Sequence, residues 1–171
     1  FALGLLNIGG GFPTFYGDPL QATEAYASDV MAQVRARFGT VPHVMAEPGR
    51  GLVGDAGAIA ANVLLVSRKS DDDVHRWVYL DIGKFSGLAE TIDEAIRYQI
   101  LTPRDHDARG PCVLAGPSCD SADVLYERRP VDLPVTLASG DWIVIRNCGA
   151  YTSSYSSVGF NGFPPLAVVE I

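Results

Sequence analysis

The chain has 171 residues, 47% of them hydrophobic and 19% charged, a globular composition long enough to bury a core. Its net charge is −7, and no lysine or arginine cluster forms a stripe, which argues against nucleic acid as a partner. The longest apolar stretch, Ala56 to Val66 interrupted by Asn62, falls short of the ~20 residues of a membrane span.

The opening run Phe1-Ala2-Leu3-Gly4-Leu5-Leu6 is apolar, has no start methionine and lacks the basic flank of a signal peptide. It reads as a strand entered partway, and the chain is expected to be a piece of a longer protein. Leu3 to Ile8 is predicted as a buried strand running into Gly9-Gly10-Gly11. A helix should start at Asp18-Pro19, with Asp18 as cap, Pro19 in the first turn and Gln21 completing a capping-box-like pattern. Ala22, Tyr26, Val30, Val34 and Phe38 step by four, Ala25 and Met31 widen the stripe, and Gly39 is a natural stop. Val41 to Ala46 is a second strand ending at Glu47-Pro48-Gly49-Arg50. Strand, loop, helix, strand, loop is one β/α repeat of a parallel sheet or barrel.

Beyond about Ala60 the pattern changes. Val63–Val66, Trp77–Ile82, Val113–Ala115, Val135–Leu137, Trp142–Arg146 and Leu166–Ile171 are short β-rich runs separated by polar or glycine turns. They predict an antiparallel sandwich or barrel, with a domain boundary near residue 58. Thr102 to Gly110 reads as a polar loop. Cys112, Cys119 and Cys148 are odd in number and at no metal-ligand spacing. Reduced thiols in a cytoplasmic protein, with no metal site, are expected.

Several short motifs carry chemistry. Gly9, Gly10 and Gly11 after a strand let the backbone approach an anion, or simply make a tight turn. Glu47 and Arg50 stand at a strand end, where they suit a protonated ring nitrogen and a phosphate, or an ordinary ion pair. Cys119-Asp120 follows Gly116-Pro117-Ser118; a carboxylate beside a thiol raises its pKa, so the pair is either a capped turn or a contact site. Tyr151, in Gly149-Ala150-Tyr151-Thr152, suits a core position with its hydroxyl satisfied. Phe160-Asn161-Gly162-Phe163 closes the series. His43, His75 and His106 match no motif.

In this order, across nearly the whole chain, these motifs resemble the C-terminal half of the ornithine/lysine decarboxylases, which use pyridoxal phosphate on an alanine-racemase-like barrel plus a β domain. The resemblance implies the last β/α units of the cofactor-binding (β/α)8 barrel over residues 1–58. It implies a β domain with substrate and dimer-interface loops over residues 59–171. Gly9, Gly10, Gly11, Gly49, Arg50 and Tyr151 would hold the cofactor phosphate, and Glu47 would keep the ring nitrogen protonated. Cys119 would stand near the reacting carbon and Asp120 near the distal amine, both reaching across a homodimer. Diaminopimelate decarboxylases carry glutamate at the latter position, so Asp120 favours a simple diamino acid. Tyr79-Leu80-Asp81-Ile82-Gly83 matches a family strand, and counting on puts Asp93 at the second substrate carboxylate. Ile92 replaces the tyrosine usual before it, with Glu90 and Glu94 the next candidates. Phe160 would line the substrate pocket.

The lysine that bears the cofactor belongs to the N-terminal part of such barrels, and neither Lys69 nor Lys84 fits its place. The reading is decarboxylation of ornithine or lysine to a diamine, in polyamine synthesis, by the longer protein. Its rivals are a non-catalytic homologue that regulates polyamine synthesis by binding a protein, diaminopimelate decarboxylase, and an amino-acid racemase on the same fold.

Overall fold

A computed structural model describes residues 3–171. Phe1 and Ala2, the start of the opening apolar run, lie outside the described residues. Strand β1 (Leu5–Asn7) pairs in parallel with β2 (His43–Met45), Leu6 opposite Val44. Helix α1 (Thr23–Phe38) connects them. Its stripe packs inward through Val34, and Phe12 meets Tyr26 edge-on at 5.6 Å. Gly39 ends the helix at φ 67, its N–H bonded to the Arg35 carbonyl at 2.9 Å.

Two expectations here are corrected. The helix starts at Thr23, not at Asp18-Pro19. Ala22 is still extended, and Gln21 donates to the Asp29 carboxylate at 2.8 Å instead of closing a capping box. The Leu3–Ile8 strand is shorter and not buried: Leu3 and Leu5 are exposed, because two strands and one helix leave one face of this sheet uncovered.

Chain direction reverses through the short α2 (Arg50–Val53) and a 3₁₀ turn (Gly54–Ala56) into the ten-residue β3 (Ala58–Ser67). Ile59, Ala61 and Val63 alternate into the core, as a strand period of two requires. The first half of β3 pairs with β9 (Trp142–Arg146) and the second with β4 (Arg76–Leu80), both antiparallel, and the register shifts between Val63 and Leu65. Asn62 sits at this bend. Its backbone N–H and side-chain amide donate to the two oxygens of Asp81 at 2.8 and 2.7 Å. The polar break in the apolar run is thus where the sheet curls.

Strands β5 (Ile100–Leu101), β6 (Arg109–Ala115), β7 (Val124–Leu125) and β8 (Val131–Pro134) complete a seven-stranded sheet ordered β5-β9-β3-β4-β6-β7, with β8 on β6. It is antiparallel except for β4 and β6, which run parallel with Val78 opposite Leu114. The core lies inside the curl, around Leu80, Leu114, Leu125, Leu133, Ile143 and Ile145. Two predicted β runs are not strands. Val135–Leu137 forms a turn after Pro134, where Leu137 N–H bonds back to the Pro134 carbonyl at 3.1 Å. Leu166–Ile171 has no ladder partner among the described residues, and its Val168 and Val169 are exposed. Among the described residues no helix is long and apolar enough to cross a membrane.

Glycines pack the chain closely on both sides of α2: Gly51 and Gly54 against the Phe12–Thr14 loop, Gly57 and Gly149 against each other. A Cβ on Gly51 would stand 2.6 Å from the Phe12 Cβ, one on Gly54 2.6 Å from the Thr14 hydroxyl, and one on Gly57 2.9 Å from the Gly149 Cα. A Cβ on Gly149 would fall 1.7 Å from the Val53 carbonyl oxygen. Gly149→Ala should therefore destabilise by at least about 1–3 kcal/mol, whereas Gly10→Ala meets one carbonyl at 2.8 Å and should cost less. Denaturant unfolding of both variants, at unchanged m-value, checks the order.

Candidate active site

The glycine loop is shaped by two left-handed residues, Gly9 at φ 71 and Gly11 at φ 83. Between them Gly10 has no room for a side chain, since its Cβ would lie 2.8 Å from the Glu47 carbonyl oxygen. Ladder bonds from Ile8 N–H to Met45 O and from Glu47 N–H to Gly9 O, at 2.9 and 2.8 Å, fix the loop against the end of β2. Asn7 receives the Gly9 N–H at 2.8 Å and gives its amide to Glu47 Oε1 at 2.6 Å. The Glu47 carboxylate is thus oriented yet exposed.

Arg50 stands three residues on. Its Nη2 bonds Glu90 Oε2, its Nη1 bonds the Tyr16 hydroxyl at 3.3 Å, and its Cζ lies 5.1 Å from the Tyr151 ring centroid. Burial disfavours the Arg50 charge, but the bonds from Glu90 and Tyr16 outweigh it and hold the guanidinium above its usual range. Gly49 is left-handed at φ 51, and a Cβ there would lie 3.1 Å from the Tyr151 hydroxyl. Tyr151 is itself left-handed at φ 54, and the buried Thr152 pins the turn through its hydroxyl to the Cys148 carbonyl at 2.6 Å. Gly10, Glu47, Gly49, Arg50 and Tyr151, singled out separately in the sequence, are therefore neighbours.

This set fits pyridoxal phosphate. A phosphate ester needs close backbone approach, a guanidinium and hydroxyl donors, and all three converge here. No backbone acceptor takes the Gly10 or Gly11 N–H among the described residues. A free, oriented carboxylate at Glu47 suits a ring N–H. Lys69 is elsewhere, its ammonium 3.2 Å from the Trp77 ring centroid, and Lys84 lies in the loop after β4 beside Asp123.

A second group of residues gathers around the 116–123 loop. Cys119 is exposed and left-handed at φ 60. Asp120 accepts the Ala122 N–H at 2.8 Å, leaving its second oxygen unbonded. Buried Asp123 holds the loop: it accepts the Ser118 hydroxyl at 2.6 Å, the Ser118 N–H at 3.2 Å and the Lys84 N–H at 2.7 Å. Phe160 packs on Phe85 at 4.3 Å, and Asn161 donates to the Ser118 carbonyl at 2.8 Å. The Phe160 turn and the Cys119-Asp120 loop are thus one surface. Cys112 and Cys148 are different, since burial pushes their thiols up to about 11 and about 12.

Asp93 is not brought into either group. It lies on the kinked segment Ala89–Glu94, 79% exposed, with only Arg128 Nη2 near its carboxylate at 3.7 Å. Glu94 next to it is buried, accepting Arg128 N–H at 2.6 Å and Arg129 Nε at 3.2 Å. The carboxylate of this segment that reaches Arg50 is Glu90. Sequence reasoning kept Glu90 in reserve and missed Tyr16, Asn7 and Asp123. A polar residue at a strand end before a glycine loop was the available signal for Asn7.

A family model described as pyridoxal-dependent decarboxylase, C-terminal sheet domain, matches residues 20–149. Diaminopimelate decarboxylase of Bacillus subtilis (strain 168) is 33% identical over 179 residues, covering 100% of this chain and 39% of that protein. Ornithine decarboxylase of Schizosaccharomyces pombe is 29% identical, covering 100% and 40%. A crystal structure of lysine/ornithine decarboxylase complexed with cadaverine from Vibrio vulnificus superposes with TM-score 0.80 at 31% identity, covering 96% of this chain and 43% of that one. The chain spans about two-fifths of the length of these relatives.

Burial opposes ionisation of Glu94, yet the Arg128 and Arg129 donors win and hold its carboxyl below the usual carboxylate range. A depressed folded value means that the unfolded chain binds more protons, so stability rises with pH through that range. The Glu94 contribution should be complete above about pH 5 and fade as pH falls below about 4.3. Unfolding curves of the native protein and Glu94→Gln should converge in acid and stay apart at neutral pH.

Proposed function

The chain belongs to the pyridoxal-dependent decarboxylases, and from that premise we propose that the complete protein removes the α-carboxylate of ornithine or lysine and leaves a diamine. The observation that carries this reading is the convergence of the glycine loop, Gly49, Arg50 and Tyr151 beside an oriented Glu47. When bound, the cofactor supplies a protonated ring that takes up the electron pair left as carbon dioxide departs.

This chain's residues do the rest. Gly10 and Gly11 offer backbone N–H groups to the phosphate, Gly9 shapes the loop with its own N–H held by Asn7, Arg50 adds charge and Tyr151 a hydroxyl. Glu47 holds a proton at the ring nitrogen. Cys119 and Asp120 act on the site of a partner subunit in a homodimer, Cys119 near the reacting carbon and Asp120 on the distal ammonium. Asp93, exposed and outside both groups within this chain, is the proposed second carboxylate for that ammonium, and Phe160 lines the apolar stem of the substrate. The position of Asp120 on an exposed loop supports action across an interface, since neither it nor Cys119 approaches the phosphate-binding group by any bond within this chain. We further propose that residues 1–58 are the closing part of the barrel and 59–171 the β domain, with the cofactor-bearing lysine in a preceding segment, and that the protein is cytoplasmic and serves polyamine synthesis.

Diaminopimelate is the second reading. It is favoured by the 33% identity to the Bacillus subtilis enzyme, against 29% to the fission-yeast ornithine enzyme. Asp120, where the diaminopimelate pattern has glutamate, and the Phe160-Asn161-Gly162 turn favour the shorter diamino acids.

Carbon dioxide release from each of the three amino acids by the complete protein tests the choice. Ornithine and lysine differ by one methylene and should both turn over, with kcat/KM values within roughly 10–200-fold. Preference for diaminopimelate over both would reverse the reading. Arg50→Ala should weaken cofactor binding by about one to two decades, the loss of charge-assisted bonds to phosphate, read by titration of the apoprotein. Asp120→Ala mixed with a variant lacking the cofactor lysine should recover activity in about half of the exchanged dimers.

A further inference from the structure

We infer that Glu90 is the resident counter-ion of Arg50, which the cofactor phosphate must displace, so that filling the phosphate site releases the segment Ala89–Thr91. The inference rests on the cofactor reading above and adds a coupling to it. The Arg50 guanidinium is already committed in this structure: Glu90 takes Nη2, Tyr16 takes Nη1 and the Tyr151 ring covers one face. Both groups are half-buried, with side chains 28% and 20% exposed, so the ion pair is poorly screened. A phosphate entering between Gly10, Gly49 and Tyr151 brings up to two negative charges to the same cation. The guanidinium has donors enough for two anions, but its single positive charge cannot neutralise both, and the more highly charged one competes better for it.

A buried donor packs beside Tyr16, the other partner of Arg50. The Tyr98 hydroxyl is buried and has no hydrogen-bond partner among the described residues. Its ring packs edge-on to Tyr16 at 5.5 Å, and burial above all, with Glu90 a minor contributor, opposes ionisation of the phenol. The far end of the segment stays anchored, because Glu94 is gripped by the Arg128 and Arg129 backbone and by the Arg129 side chain. Between the two ends lies a kink, with Ile92 extended at ψ 134 and Asp93 left-handed at φ 54. Glu90 is thus a positioning residue: its partner choice reports phosphate occupancy to the turn that precedes Asp93.

Hydrogen exchange on the complete apoprotein, with and without saturating pyridoxal phosphate or inorganic phosphate, tests this. The Ile96 N–H bonds the Glu90 carbonyl at 3.1 Å and the Thr91 N–H bonds the Leu88 carbonyl at 3.0 Å. Both ligands should slow exchange at Gly10 and Gly11 and speed it about tenfold at Thr91 and Ile96. Protection of the glycine loop with unchanged or slower exchange at Thr91 and Ile96 overturns the inference and leaves the cofactor reading standing. No protection of the glycine loop by either ligand overturns both. Glu90→Gln keeps a hydrogen-bond acceptor and removes the competing charge, so its dissociation constant for pyridoxal phosphate should fall about threefold to tenfold. An unchanged or larger constant overturns the inference. If that variant does not fold, the exchange measurement on the unaltered protein decides alone.

Discussion

The meeting of Tyr151 with Arg50 depends on backbone packing against backbone where side chains would keep it apart. Gly51, Gly54, Gly57 and Gly149 have no space for a Cβ, and the chain there is bonded directly: Cys148 N–H to Gly57 O at 2.8 Å, Gly149 N–H to Gly54 O at 3.0 Å. That approach carries the 149–152 turn over α2, so that Tyr151 faces Arg50. Packing spaced by side chains would separate them by several ångströms and leave a guanidinium and a phenol with no common ligand. The geometry around Arg50 is thus a packing result before it is an electrostatic one.

The acidic residues divide by solvation. Asp123 and Glu94 are buried and saturated with N–H and O–H donors, which is the condition under which a carboxylate is stable away from water. Such groups organise loops and are not free to take a ligand. Glu47, Asp93 and Asp120 keep unbonded oxygens at the surface, available to an ammonium or a ring N–H. Glu90 falls between the classes, half-buried and holding one partner. Each buried acid lies within a few residues of a more open one, Asp123 beyond the half-buried Asp120 and Glu94 beyond the exposed Asp93. The more open group is presented by a turn that its buried neighbour has fixed.

Much of this was legible in the residues. The period-four stripe of α1, its Gly39 stop, the glycine loop and Glu47-Pro48-Gly49-Arg50 all have local causes, so they could be read locally. Helix onset was misread because Asp18, Pro19 and Gln21 satisfy capping rules that tertiary contacts overrode: Gln21 found Asp29 and Phe12 found Tyr26. Val135–Leu137 and Leu166–Ile171 have strand composition but no ladder partner, and pairing is a long-range property that composition does not carry. The parallel β4–β6 pair was missed for the same reason. So was the Arg50–Glu90 bond, which joins residues 40 positions apart in the sequence.

The three thiols differ in a way with practical use. Burial holds Cys112 and Cys148 in the unreactive neutral form at ordinary pH, whereas Cys119 is open to solvent on a left-handed turn. A maleimide fluorophore or a nitroxide would therefore enter this part of the protein at one place without any engineered substitution. That place sits on the loop proposed to reach a neighbouring subunit's site, so one covalent reporter would test that pairing, its environment changing from water to protein if two chains join there.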